Sequence, residues 1–62
     1  MEPKFRAKRE AAGLTRDQAA QKLGVVTETL RRWEKHETSP TVDALLAMAK
    51  VYQCSVYELI GI

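Results

Sequence analysis

Gly24 separates two short apolar patterns and leaves almost no chain between them. The first pattern opens at Thr15 and puts Ala19, Ala20 and Leu23 on one helical face. The second runs from about Thr27 to Lys35 and groups Val26, Leu30 and Trp33. A helix that stops at Gly24 and is followed within three residues by another must be crossed steeply by it. Two helices so joined approach closely only if small residues meet at the crossing. Ala19 and Ala20 supply that small face, Val25 plugs the corner, and Leu30 and Trp33 pack from the second helix. This is the physical logic of a helix-turn-helix unit over residues 16–35.

The rest of the chain divides by the same punctuation. Pro3 suits the first turn of a helix, where its missing N–H is harmless. Gly13 ends that helix in the left-handed conformation, with Leu14 folding back as the apolar residue after it. Thr15 and Gln18 have the spacing of a capping box. Residues 36–40 form a polar loop, in which His36 tolerates the left-handed region better than most residues and reads as a helix end. Thr41 caps a fourth helix with Asp43 in its first turn, and Val42, Leu45, Leu46, Ala49 and Tyr52 align along it. Ser55 and Glu58 make a second capping box, opening a short fifth helix that ends near Gly61 and aligns Val56, Leu59 and Ile60. There is no sustained period-two alternation. The expected fold is all-α, a compact five-helix domain filling residues 1–62, and the starting Met favours a native N-terminus.

Composition narrows the function. No apolar run approaches the roughly 18 residues of a membrane span. Cys54 is the only cysteine and His36 the only histidine, so disulfides within the chain and Cys-rich zinc sites are excluded, and neither metal nor cofactor is expected. A reducing, cytoplasmic setting fits a lone thiol, and Cys54 reads as a small buried hydrophobe. No nucleophile–base pair and no Gly-rich phosphate loop is visible, and a domain this small encloses no sizeable pocket, so an enzyme is not expected. The net charge of +2 hides an asymmetry. Residues 1–35 carry nine Lys/Arg against five acids, a balance of +4, and residues 36–62 carry one against three, a balance of −2. An anionic partner would dock on the basic half.

The run Gly13-Leu14-Thr15, Ala19-Ala20, Leu23-Gly24-Val25, Thr29-Leu30, Arg32-Trp33-Glu34 and Pro40 resembles the Cro and lambda-repressor type of helix-turn-helix domain, the xenobiotic-response-element family of regulators. The resemblance covers about residues 4–61. It implies a five-helix DNA-binding domain that recognises double-stranded operator DNA, usually as a homodimer, with the third helix in the major groove. On that resemblance Thr27, Glu28 and Arg32 face base edges. Arg32 would donate to guanine O6 and N7, Glu28 would accept from cytosine N4 or orient Arg32, and Thr27 would touch a thymine methyl or a phosphate. Arg16 takes the position that usually grips phosphate, where the family often has Gln, and Arg31 and Lys35 are further backbone contacts. Arg16 at a helix start opposes the helix dipole and gains nothing structurally there. The structural alternative for Glu28 and Arg32 is an ordinary i,i+4 pair.

Two departures from the family pattern stand out. Val26 replaces the usual Ser or Thr cap of the third helix, so Thr27 is expected to take over capping one residue late. Glu37 lies in a loop that is often basic, and both changes point to a weaker phosphate grip. Val56, Tyr57, Ile60 and Ile62 offer apolar surface for a two-fold homodimer on DNA, weak in solution. The alternative function is an antitoxin or protein-interaction module on the same fold. Finally, Phe5, Arg9 and Ala12 share one face of the first helix, while Val26, Leu30, Trp33 and Glu34 share one of the third. Both stripes face the core, so Arg9 and Glu34 are expected to meet as a structural ion pair.

Overall fold

A computed structural model describes residues 3–61. It contains five helices: α1 (Phe5–Ala11), α2 (Arg16–Leu23), α3 (Thr27–Glu34), α4 (Val42–Tyr52) and α5 (Val56–Ile60). No strand occurs among the described residues. None of these helices is long and apolar enough to cross a membrane.

Local chemistry sets most of the boundaries. Thr15 makes the full capping box: its hydroxyl accepts from the Gln18 amide at 3.1 Å, and Gln18 Oε1 accepts from the Thr15 amide at 2.9 Å. Thr41 and Ser55 accept from the amides of Ala44 and Glu58. The expected reciprocal half at Ser55 is not made, because the Glu58 carboxylate lies 3.3 Å from Lys8 Nζ and ties α5 to α1. Pro3 also lies outside the helix it was expected to open. The Lys4 amide donates to the Leu59 carbonyl at 2.7 Å, which holds this segment against α5 and delays α1 to Phe5.

Four helices close by one device. After α1, α2, α3 and α4, the amides of Leu14, Val25, Glu37 and Cys54 donate back to the carbonyls of Arg9, Ala20, Arg32 and Ala49. Each closure needs one left-handed residue just before that amide. Gly13 and Gly24 supply two, and His36 (φ 62°) and Gln53 (φ 56°) the others. His36 thus ends α3 as its sequence position implied. Gln53 carried no such signal.

The core consists of Phe5, Ala19, Ala20, Leu30, Trp33, Met48, Tyr52 and Leu59, with all five helices contributing. The α2–α3 crossing buries Ala19, Ala20, Leu30 and Trp33 as the small-face argument requires, and Val25 packs against their edge. Several expected core positions lie outside. Val26 is 68% exposed, because it precedes α3 in extended backbone and helical periodicity does not govern it. Val42 and Leu46 are 71% and 56% exposed. The buried line of α4 passes through Met48 and Tyr52 with Leu45 and Ala49 beside it, so Val42 and Leu46, four apart, form a neighbouring strip that faces out. Ala12 is exposed at the end of α1, and Cys54 is half-buried at the core edge rather than enclosed.

One carboxylate joins three helices inside this core. Arg9 Nε donates to Glu34 Oε2 at 2.7 Å and Arg9 Nη2 to Oε1 at 3.3 Å. The third guanidinium nitrogen, Nη1, donates to the Leu14 carbonyl at 2.9 Å. The Arg9 and Glu34 side chains are 8% and 1% exposed, so this is a forked, buried pair. Arg16 reaches the same carboxylate from α2, with Nε 3.3 Å from Oε1. Tyr52 is buried nearby, and its hydroxyl has no hydrogen-bond partner. Burial first, then the Glu34 charge, pushes that phenol up to about 12.

Removing Glu34 alone, as Glu34→Ala, should lower stability by about 3–5 kcal/mol, because the Arg9 cation stays buried without its partner. Replacing Arg9 and Glu34 together by apolar residues should cost much less. Urea denaturation of the two single variants and the double variant measures the coupling. A coupling near zero would make the pair energetically inert.

Candidate nucleic-acid interface

Both ends of α3 are fastened to the first turn of α2. At the start, Thr27 Oγ1 donates to Asp17 Oδ1 at 2.9 Å. At the end, Glu34 accepts from Arg16. Arg16 and Asp17 are adjacent in sequence yet reach opposite ends of the same helix. The α2 start therefore lies across the middle of α3, as a steep crossing demands. Arg16 consequently has the structural role that its place at a helix start seemed to deny it: its unfavourable dipole position is offset by Glu34, a carboxylate from another helix.

The same two bonds correct the capping expectation. Thr27 does not replace the missing cap, because it is already the first residue of α3 and its hydroxyl is engaged by Asp17. Val26 occupies the N-cap position in extended conformation (φ −75°, ψ 152°), and no side chain caps α3.

With Leu30 and Trp33 buried, the opposite side of α3 is set by spacing. Glu28, Arg32 and Lys35 lie at i, i+4 and i+7 and are all exposed. Arg31 is half-buried beside them. Glu28 is the centre of this surface. Its Oε1 accepts from Arg31 Nε at 2.8 Å, and its Oε2 accepts from Arg31 Nη2 at 2.5 Å and from Arg32 Nε at 3.2 Å. The remaining Arg31 nitrogen, Nη1, lies 3.6 Å from Glu37. The Arg31 hydrogen bonds first, and the single one from Arg32 after them, hold the Glu28 carboxyl down at about 2. A depressed carboxylate contributes above its ordinary range and is lost as pH falls through the folded value, so the cluster persists through neutral and mildly acid pH.

Thr27, Glu28, Arg31, Arg32 and Lys35 thus sit on or beside the outer side of one short helix, and Arg16 borders it from α2. Arg9 and Glu34 lie behind it, in the core. Asp17 belongs with this set although the sequence did not single it out, since its bond to Thr27 depends on a crossing angle that spacing does not encode. No group of three or more His, Cys, Asp or Glu side chains able to hold a metal is found among the described residues.

A family model described as helix-turn-helix matches residues 5–59. The chain belongs to the helix-turn-helix family. Within this family it has relatives of the repressor type. It is 34% identical over 53 residues to the HTH-type transcriptional regulator ImmR of Bacillus subtilis (strain 168), covering 86% of this chain and 42% of that protein. It is 30% identical over 59 residues to YobD of the same organism, described as an uncharacterized HTH-type transcriptional regulator, covering 95% of this chain and 53% of that one. The helix-turn-helix chain therefore spans about half the length of these two relatives. Among solved structures, the P22 c2 repressor in complex with a synthetic operator superposes with a TM-score of 0.82 at 32% identity, covering 90% of this chain and 85% of the other.

The bare start of α3 is open to direct test by substitution. Val26→Ser or Val26→Thr restores a side-chain acceptor to the first turn and should raise stability by about 1 kcal/mol in thermal or urea unfolding. An unchanged or lowered stability would show that the exposed valine contributes something a cap does not replace.

Proposed function

We propose that this helix-turn-helix domain binds double-stranded operator DNA sequence-specifically and regulates transcription, with α3 in the major groove. The observation that carries this reading is the outer face of α3. A short helix fastened at both ends presents Glu28, Arg32 and Lys35 away from the core, with its charged groups pre-ordered. The similarity to a repressor solved in complex with its operator supports operator binding. Arg32 uses only Nε on Glu28, so both terminal nitrogens of its fork are left to donate to guanine O6 and N7. Glu28 and Thr27 lie one turn nearer the helix start, within reach of neighbouring base edges. Arg16 and Lys35 border this face and are the proposed phosphate ligands. Arg31 joins them once its carboxylate partners are displaced.

A homodimer on DNA completes the proposal, in a cytoplasmic setting. Tyr57 is exposed on α5, while Val56 and Ile60 are half-buried and Ile62 lies outside the described residues. The outward strip of Val42 and Leu46 adds apolar surface on α4. A two-fold dimer of this kind reads two half-sites about 34 Å apart. The same exposed side chains are what a protein-interaction module would use, and that reading requires no response to duplex DNA.

Selection from a random duplex library, followed by a salt titration, separates the two. A DNA regulator should return a paired site and lose affinity steeply with salt. Arg32→Ala should relax preference at one base position and weaken the selected site by about 1–3 kcal/mol. Arg16→Ala should weaken all sequences alike and flatten the salt slope by about one. Retained base preference in Arg32→Ala, or a sequence-dependent loss in Arg16→Ala, would contradict these assignments.

A further inference from the structure

The proposed reading helix carries no net charge. Residues 27–34 contain Arg31 and Arg32 against Glu28 and Glu34, which sum to zero. That is unusual for an element meant to meet a polyanion, whose non-specific hold depends on cations reaching phosphate. Glu34 is already taken up in the core by Arg9 and Arg16. The surface balance therefore rests on Glu28, and its geometry treats the two arginines differently. Arg31 gives Glu28 both an Nε and an Nη2 hydrogen, a two-point fork, and its Nη1 faces Glu37. Every nitrogen of that guanidinium is directed at a carboxylate. Arg32 gives Glu28 one hydrogen only, from Nε at 3.2 Å, and its side chain is 53% exposed against 30% for Arg31.

We infer that Glu28 is a specificity-determining residue that sorts the two arginines: it orients Arg32 as a base reader and withholds Arg31 from the phosphate backbone. This rests on the DNA-binding reading above and deepens it. On a non-cognate duplex nothing replaces the Arg31–Glu28 fork, so one potential phosphate contact is missing and the Glu28 carboxylate itself is repelled. On a cognate site a base-edge donor such as cytosine N4 engages Glu28, the fork loosens, and Arg31 becomes available to a phosphate. Non-specific affinity is kept low while specific affinity is not, and the ratio between them rises.

The test combines Glu28→Gln, Arg31→Ala and the double variant, with Glu10→Gln as control. Glu10 pairs with Arg6 at 3.3 Å on α1, so the control also frees an arginine, but on another helix. Binding to a random-sequence duplex is measured across a salt series, with circular dichroism confirming that each variant is folded. Glu28→Gln should tighten random-duplex binding about fivefold near 0.15 M salt and steepen the slope by about one, as one added phosphate contact requires. Glu10→Gln should do neither to that extent. Arg31→Ala should leave the random-duplex slope of the parent unchanged, yet remove the steepening when added to Glu28→Gln. If Arg31→Ala flattens the slope by about one in both backgrounds, Arg31 already grips phosphate and the withholding is overturned. Equal tightening in Glu28→Gln and Glu10→Gln would reduce the effect to net charge and overturn it as well. If the parent binds no duplex at low salt, the DNA-binding reading fails, and that outcome is distinct from the other two.

Discussion

A carboxylate buried to 1% exposure must be neutralised where it stands, and the packing of this domain follows from how Glu34 meets that demand. Arg9 comes from α1 and Arg16 from α2, while Glu34 itself ends α3. One anion thus fixes the relative placement of three helices. Arg9 extends the arrangement into the connection after α1 by donating to the Leu14 carbonyl. Apolar burial of Leu30, Met48 and Leu59 supplies driving force without direction. The ion pair supplies the direction, because a guanidinium fork accepts a carboxylate in few geometries.

The outer face of α3 owes its order to this buried side. Thr27 and Glu34 are pinned to adjacent residues of α2, so α3 does not rotate about its axis without breaking a bond at one end. Glu28, Arg31 and Arg32 then need only local hydrogen bonds to become an organised surface. The two networks share no residue, yet each is centred on an acid of the same eight-residue helix, Glu34 on its inner side and Glu28 on its outer side.

Much of this was legible from residues alone. Thr15, Thr41 and Ser55 announce their helices because a side-chain oxygen next to an apolar period has one plain use. Gly13 and Gly24 mark ends because a left-handed residue is required there. The meeting of Arg9 and Glu34 follows from two inward stripes of opposite charge. Other features were hidden for definite reasons. Val42 and Leu46 match the apolar period of α4, but a stripe read from sequence is wider than the line that touches neighbours. Val26 matches the apolar period of α3 but precedes the helix, where that period does not apply. Gln53 turns left-handed with no composition cue, and the roles of Asp17 and Arg16 toward α3 depend on a crossing angle. Spacing brought out the Glu28–Arg32 pair but not that Arg31 holds the same carboxylate more fully.

The repeated left-handed closure has a consequence for how quickly the chain finds its shape. Because α1, α2, α3 and α4 each stop within one or two residues, the connections at 12–15, 24–26, 35–41 and 53–55 are short, and two successive pairs, α2 with α3 and α4 with α5, pack directly. Little loop-closure entropy stands between these two pairs and their packing. All-helical domains of this local kind cross their folding barrier in microseconds to milliseconds. The pairing of residues 9 and 34 joins helices that are not successive, as do the contacts of α1 with α4 and α5 and of α2 with α4, so the buried charge belongs to the longer-range part of the packing.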